Sequence, residues 1–344
     1  MWICRAVKAL LPLALVALAL CGCANGVNED GYVNVIGGKV YYKMIDHGGG
    51  GTPLIVVHGG PGVPHQYLQS LAELANDRPV IFYDQLGCGK SDRPQGDQFW
   101  IPRRFAREIG AIRDELGINE CYILSDSWGA IPATEYLLTM PKEVRGVVLS
   151  SPILSGPRFI ADAQGLTDQL PSGARDAIRR HEQNGTTDSS EYQRAFKEFY
   201  KRHVYRRWSE PAELKDALAE IGPDVYRVMH GTNHIDVNGT LRNYDRTADL
   251  WQIKQPTLII CGRYDEVPPE TAAHYNGKLS NSTMKIFQRS SHMPIFEEHD
   301  AYIETVRKYL DECERRYAAA NEKSPSLKAK APHPNPLPEY GARE

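Results

Sequence analysis

The amino-acid sequence predicts an α/β fold, in which a mostly parallel central sheet is flanked by helices and interrupted by an inserted helical cap. Two observations carry this prediction. Short apolar, β-branched runs alternate with amphipathic segments of helical length from Val33 onward. The alternation stops at residue 153, where charged helix-forming segments replace the apolar runs, and it resumes at Thr257. We therefore expect a sheet domain made of residues 27–152 and 251–316, with residues 153–250 as the cap.

The individual elements follow from the same patterns. Runs rich in Val, Ile and Leu between turn residues predict buried strands, and apolar residues three and four positions apart predict helices. Gly117 stands where a helix would end in a left-handed residue. The predicted strands are residues 53–57, 80–84, 121–125, 144–150, 257–261 and 284–287. The predicted helices are residues 67–75, 104–116, 128–140, 191–208, 211–220 and 301–316.

The start of the chain has the features of an export signal. Two basic residues precede an uncharged apolar run, residues 9–20, that is shorter than the roughly 20 residues of a membrane-spanning helix. Residues 20–23, Leu-Cys-Gly-Cys, resemble the lipobox of bacterial lipoproteins. We therefore expect a signal peptide over residues 1–23 with Cys23 as the lipid anchor. Cleavage after Ala24, giving a free periplasmic or secreted protein, is the alternative.

Composition limits the partners and cofactors. The formal net charge of −3 gives no strong field for nucleic acid or anionic lipid, so a small-molecule or peptide substrate is expected. Residues 317–344 are rich in Lys, Ala and Pro and predict a disordered tail. The cysteines outside the signal region form no CxxC pair, so we predict no metal and no other cofactor, and assign no disulfide. These cysteines are Cys88, Cys121, Cys261 and Cys313.

A glycine-rich string, His58-Gly59-Gly60-Pro61-Gly62, directly follows a predicted strand. Glycines let the backbone approach a substrate without side-chain interference, so such a loop can aim N–H groups at an oxyanion. A tight turn leaving the strand would explain the glycines but not the whole string. We interpret the string as part of an oxyanion site, in which His58 shapes the loop.

Ser127 lies in the string Ser125-Asp126-Ser127-Trp128-Gly129, between a predicted strand and a predicted helix. This is the context of a nucleophile elbow, a strained turn that needs small residues two positions before and after the serine. Ser125 and Gly129 are both small, although Ser125 stands where a glycine usually opens the motif. We predict that Ser127 is a nucleophile, with an incidental serine as the alternative.

A base and its orienting acid are also placed at strand ends. His292 follows the last predicted strand, and Asp265 follows the strand of residues 257–261, so both side chains would emerge at the same edge as Ser127. The chain order Ser, Asp, His is that of the α/β hydrolases. We therefore predict an α/β-hydrolase fold with these three residues as its catalytic triad. The histidine or the aspartate taken singly would more often be structural.

These strings resemble the proline iminopeptidases and their tricorn-interacting-factor relatives, which are serine exopeptidases and amidases. The resemblance covers roughly residues 51–309, and its marks are residues 58–62, 83–91, 126–129, 243–247, 262–266 and 291–292. It implies that Ser127 attacks a carbonyl carbon, that His292 transfers the proton and that Asp265 orients His292. It also implies that the backbone N–H groups of Gly60 and Trp128 bind the oxyanion.

The same resemblance implies acidic cap residues that hold the free amine of the substrate. The family has a glutamate in a Gly-Pro-x-Glu string, and the matching residues 231–234 are Gly-Thr-Asn-His. A buried ammonium needs an anionic partner. We therefore consider His234, Asp236 and Glu198 as candidate substrate-binding residues, the last two as replacement carboxylates or as solvated surface.

The sequence thus leads to one expected function and two rivals. We expect a serine hydrolase that releases an N-terminal residue, preferably proline, from short peptides or amino-acid amides. His234 favours an alternative, an amidase or esterase of the same fold without a free-amine requirement. A lipid-anchored binding protein without catalysis is a third interpretation, which the complete set of Ser127, Asp265 and His292 disfavours.

Overall fold

The structure, a computed structural model, describes residues 26–322. Their centre is an eight-stranded sheet with the strand order β1-β2-β4-β3-β5-β6-β7-β8. β2 pairs antiparallel with β1 and with β4, and all other neighbours are parallel. The strands are β1 (Val27–Val35), β2 (Gly38–Asp46), β3 (Leu54–Val57), β4 (Val80–Tyr83), β5 (Cys121–Asp126), β6 (Val144–Ser150), β7 (Thr257–Gly262) and β8 (Ser282–Phe287). The predicted, mostly parallel sheet is confirmed.

Hydrophobic cores lie on both faces of this sheet. In β3, Leu54 and Val56 pack into one core while Ile55 and Val57 pack into the other, and all four are fully buried. Side chains alternate between faces along a strand, so a run with no polar residue is stable only where helices cover both sides. The exposed, polar pattern of β1 explains why the sequence did not mark it as a strand.

Residues 26–322 also contain ten α-helices. They are α1 (Pro102–Glu115), α2 (Ala130–Leu137), α3 (Gly156–Asp168), α4 (Ser172–Asn184), α5 (Ser190–His203), α6 (Ala212–Ala219), α7 (Pro223–Met229), α8 (Pro269–Lys278), α9 (Pro294–Glu297) and α10 (His299–Glu322). The segment predicted as a helix over residues 67–75 is a 3-10 helix, His65–Asn76. Gly117, with a φ of 62°, follows the end of α1 as predicted.

Five of these helices, α3 to α7, fill the connection between β6 and β7, where the sequence predicts the cap. Three of them, α3, α4 and α5, share a small hydrophobic core that includes Ala163, Ile178, Tyr192 and Phe199, while the buried residues of α6 and α7 pack into the two cores of the sheet. α5 ends at His203 and not at residue 208 as predicted. The chain leaves the helix there because Val204 and Tyr205 turn into the protein, where both are buried.

The last helix extends past the predicted start of the disordered tail at residue 317. α10 continues to Glu322, and its additional turn is tied to the sheet domain. The Arg145 guanidinium lies 3.9 Å from the centre of the Tyr317 ring, and the Tyr317 hydroxyl bonds to Glu120. The tail prediction was therefore wrong for residues 317–322. Residues 323–344 and the predicted anchor Cys23 lie outside the described residues.

No helix between Gly26 and Glu322 is both long and apolar enough to cross a membrane. Over the same residues, no three His, Cys, Asp or Glu side chains are grouped so that they could hold a metal ion. The four cysteines of this part of the chain are all buried free thiols.

Candidate active site

Ser127 occupies a strained turn between β5 and α2. Its φ is 54°, a left-handed conformation that is costly for a residue with a side chain. β5 ends at Asp126, and a short 3-10 turn, Ser127–Gly129, leads into the helix. A Cβ atom on Gly129 would lie 2.3 Å from the carbonyl oxygen of Val57, so only glycine fits where the turn packs against β3. The geometry is that of a nucleophile elbow.

His292 and Asp265 form a buried pair at the same edge of the sheet. The His292 ring atom Nδ1 lies 2.7 Å from Asp265 Oδ1, and the two residues are 2% and 1% exposed. Asp265 is held from its other side, because Oδ2 accepts hydrogen bonds from the Ser151 hydroxyl at 2.7 Å and from the Gly262 N–H at 3.2 Å. An acceptor fixed at Nδ1 leaves Nε2 as the proton-accepting atom of the neutral ring.

A second carboxylate, that of Glu266, also lies against His292. Glu266 Oε1 is 3.5 Å from His292 Nε2, and the residue is 1% exposed. Burial alone would raise the pKa of Glu266, but His234 and His292 outweigh it and lower this pKa to about 2. The carboxylate is therefore charged at neutral pH. Sequence reasoning missed it, although it stands next to Asp265 in the string after β7.

The charges around His292 shift its ionisation. Burial alone would lower the pKa of the imidazole, but Asp265, Glu266 and Asp126 together raise it above its ordinary value. Asp126 is itself buried, which raises the pKa of its carboxyl group to about 6. Any cation that binds beside Glu266 would lower the pKa of His292 by cancelling one of these charges.

Of the three predicted substrate-binding residues, only His234 reaches this cluster. Its Nε2 lies 2.6 Å from Glu266 Oε2, and its side chain is 30% exposed. Asp236 instead faces Arg242 at 3.4 Å. Glu198 lies on the solvent side of α5, half exposed and 3.9 Å from Arg202.

The glycine-rich loop lies beside the elbow. Gly60 has a φ of 119°, and a Cβ atom on it would lie 2.5 Å from the N atom of Gly62. Burial lowers the pKa of His58 to about 4, so its ring is neutral and, as expected, the residue has a structural place in the loop.

Gly60 and Trp128 both line a cleft whose other walls are mainly apolar. These walls are formed by Pro61, Ile131, Ile153, Gly156, Phe159, His230, Val237 and Leu241.

Fold and site together define a serine hydrolase of the α/β-hydrolase class, since its serine, acid and histidine follow strands β5, β7 and β8 in that order. A family model for the alpha/beta hydrolase fold matches residues 52–299. The chain is 42% identical over 283 residues to the proline iminopeptidase of Heyndrickxia coagulans, covering 82% of this chain and 98% of the relative. It is 34% identical to that of Saccharolobus solfataricus, covering 83% and 93%.

Two solved structures are also similar to this chain over most of its length. The crystal structure of the proline iminopeptidase of Mycobacterium smegmatis superimposes on this chain with a TM-score of 0.79 at 30% identity. The match covers 84% of this chain and 100% of the other. The crystal structure of VinJ gives a TM-score of 0.79 at 31% identity, covering 83% and 99%. The chain belongs to the proline iminopeptidase family of α/β hydrolases.

Proposed function

We propose that this protein is a prolyl aminopeptidase, which hydrolyses the amide bond after an N-terminal residue, preferably proline, of short peptides or amino-acid amides. Three relatives that it matches over most of their length are proline iminopeptidases. The observation that carries the proposal is the charged, buried carboxylate of Glu266, 3.5 Å from His292 Nε2. A carboxylate at this distance suits the ammonium group of a substrate whose scissile carbonyl lies over Ser127.

The proposed reaction is acyl transfer through Ser127. His292 takes the proton from the Ser127 hydroxyl as its oxygen attacks the carbonyl carbon, and Asp265 holds the imidazole in the required tautomer. The backbone N–H groups of Gly60 and Trp128 bind the oxyanion of the tetrahedral intermediate. His292 then protonates the leaving amine. A water molecule next attacks the ester carbonyl and gives a proton to His292, which passes it to the Ser127 oxygen as the ester bond breaks and the N-terminal residue is released.

Substrate recognition combines a charge with an apolar wall. The free amine pairs with Glu266 Oε1, while Oε2 remains bonded to His234. The side chain of the N-terminal residue packs against the apolar wall to which Trp128, Phe159 and Ile131 contribute. Because Glu266 lies so close to His292, one residue fits between the amine and the reacting carbonyl. This explains removal of single residues from a free N-terminus.

The test compares proline p-nitroanilide with its N-acetylated counterpart, using the Ser127→Ala variant as the blank. We expect the wild-type enzyme to cleave the free-amine substrate with a much higher kcat/KM than the acetylated one, because an acetylated proline has no cation for Glu266. Equal cleavage of both, or cleavage of simple esters alone, would refute the aminopeptidase and support the amidase or esterase alternative. Cleavage by Ser127→Ala at the wild-type rate would refute the serine mechanism.

We further propose that the enzyme is exported and held at the cell envelope by a lipid on Cys23. The support is the basic start, the apolar run of residues 9–20 and the Leu-Cys-Gly-Cys string of residues 20–23. Labelling with radioactive palmitate in a bacterial host tests this proposal. A labelled, membrane-bound protein whose label is lost in Cys23→Ala is the expected result, and an unlabelled protein in the periplasm or medium would contradict the anchor.

A further inference from the structure

The peptide group that joins His58 to Gly59 is held at both of its polar ends by buried side chains. Its carbonyl oxygen accepts a hydrogen bond from Gln85 Nε2 at 2.7 Å, and its N–H donates to the Tyr67 hydroxyl at 2.7 Å. Gln85 and Tyr67 are 1% and 2% exposed, so water does not compete for either bond. The plane of this peptide is therefore set by two side chains from separate segments.

Each of these side chains also bonds to a neighbour of the nucleophile. The Tyr67 hydroxyl donates to Asp126 Oδ2 at 2.8 Å, and Gln85 Oε1 accepts from Trp128 Nε1 at 3.0 Å. Asp126 and Trp128 are the residues directly before and after Ser127. Two side-chain bridges thus join the glycine-rich loop to the elbow, one through each neighbour of the nucleophile.

A third contact holds His58 itself. Its Nε2 accepts the backbone N–H of Gln85 at 2.9 Å, and its Nδ1 lies 2.9 Å from the carbonyl oxygen of Gly59, to which it donates as a neutral ring. The loop is also packed tightly on the elbow. A Cβ atom on Gly59 would lie 2.8 Å from the Tyr67 hydroxyl oxygen and 3.2 Å from the Ser127 Cβ atom.

We propose that Tyr67 and Gln85 are positioning residues for the oxyanion site, fixing the direction of the Gly60 N–H relative to Ser127. Gly60 is the next backbone donor after the bridged peptide. The inference rests on the proposed function, in which that N–H binds the oxyanion.

Such bridges are needed because of the composition of the loop. Consecutive glycines have many accessible backbone conformations, and Gly60 adopts one, at a φ of 119°, that other residues rarely adopt. Oxyanion donors stabilise a transition state only if they already point at it before the charge develops. Without the bridges the loop would have to be ordered in each catalytic cycle, which lowers the rate of acylation and leaves ground-state binding unchanged.

The test uses Tyr67→Phe, which removes one oxygen atom, and Gln85→Met, which removes both polar groups at similar volume. Each should lower kcat for proline p-nitroanilide by about 10-fold and leave KM within about twofold, since only the transition state uses the Gly60 N–H. Prolinal, an aldehyde that forms a tetrahedral adduct with Ser127, should bind more weakly by the factor by which kcat/KM falls. Inhibition by free proline should not change.

Tyr122→Phe is the matched control. The Tyr122 hydroxyl is buried on β5 and has no hydrogen-bond partner among the described residues, so its removal should leave kcat and prolinal binding unchanged. If Gln85→Met does not fold, Tyr67→Phe decides the question alone.

Two results would overturn the inference. One is a Tyr67→Phe enzyme with wild-type kcat and wild-type prolinal affinity. The other is an equal loss of affinity for prolinal and for proline, which indicates a general structural effect. Failure of the proposed function is seen separately, as equal cleavage of the free-amine and N-acetylated substrates by the wild type or as hydrolysis that persists in Ser127→Ala.

Discussion

The Nε2 atom of His292 lies 3.5 Å from Oε1 of Glu266, while Nδ1 of the same ring lies 2.7 Å from Asp265. The imidazole thus lies between two carboxylates, which raise its pKa against the effect of burial. In the proposed complex, the substrate ammonium cancels the charge of Glu266 just when His292 must accept a proton. One carboxylate would then serve both recognition of the amine and activation of the base.

This relationship predicts a shift in the pH profile of Glu266→Gln. His292 acts as a base only when it is unprotonated, so activity rises as pH increases through its pKa. Glu266 raises the pKa of His292, so removing its charge lowers that pKa. The acid limb of the kcat/KM profile should therefore move to lower pH. The limb is measured with p-nitrophenyl acetate, which has no amine. Glu198→Gln is the control, and an unmoved limb in Glu266→Gln would contradict the electrostatic coupling.

His234 should determine the lowest pH at which the enzyme still binds its substrate well. Burial raises the pKa of Glu266, and His234 is the largest of the influences that lower it. In His234→Ala this pKa rises, so Glu266 becomes protonated at a higher pH and KM for proline p-nitroanilide increases earlier as pH falls. KM measured between pH 4 and pH 8, with His234→Gln as the variant that keeps a hydrogen-bond donor, checks this. Identical curves for wild type and His234→Ala would show that Glu266 does not depend on His234.

The strain at Ser127 predicts a difference between two inactive variants. Both Ser127→Ala and Ser127→Gly lose the nucleophile, but only glycine adopts a φ of 54° without a steric penalty. The glycine variant should have a free energy of unfolding about 1 kcal/mol higher than that of the alanine variant. Urea unfolding measures this difference. A less stable Ser127→Gly would mean that the strain is smaller than the extra conformational entropy that glycine loses on folding.

Asp265→Asn should lower kcat by about 10⁴-fold, because an amide no longer fixes the tautomer of His292. The protein should remain folded, which circular dichroism checks. Asp236→Asn is the matched control, since Asp236 faces Arg242 at 3.4 Å and contacts neither His292 nor Glu266. A comparable loss of kcat in Asp236→Asn would assign it a role that the structure does not indicate.

Much of the sheet and of the elbow could be predicted from the sequence, because local pattern determines them. Residues 121–125 are a run of buried-strand character, and a serine between such a run and a helix has few alternatives to the elbow turn. The edge strand β1 could not be predicted in the same way. Its residues are mostly polar and exposed, and its pairing with β2 depends on the hairpin around Gly37.

The proposed substrate-binding carboxylate, Glu266, could not be predicted for a different reason. Asp265 and Glu266 are adjacent in one turn, and only the tertiary structure shows that both side chains turn toward His292. Glu198 and Asp236 are candidates because they are acidic and lie in the cap. The direction of Glu198 depends on the packing of α5 and that of Asp236 on the connection after α7, and periodicity alone resolves neither. The bridges from Tyr67 and Gln85 likewise depend on contacts between segments far apart in the chain.

The most direct test of the account is the ratio of kcat/KM for proline p-nitroanilide to that for its N-acetylated form, measured in the wild type and in Glu266→Gln. The account predicts that the ratio falls by about 30-fold or more in the variant, since the ammonium loses a buried charged partner. An unchanged ratio would contradict the claim that Glu266 recognises the free amine, and with it the structural explanation of the aminopeptidase activity.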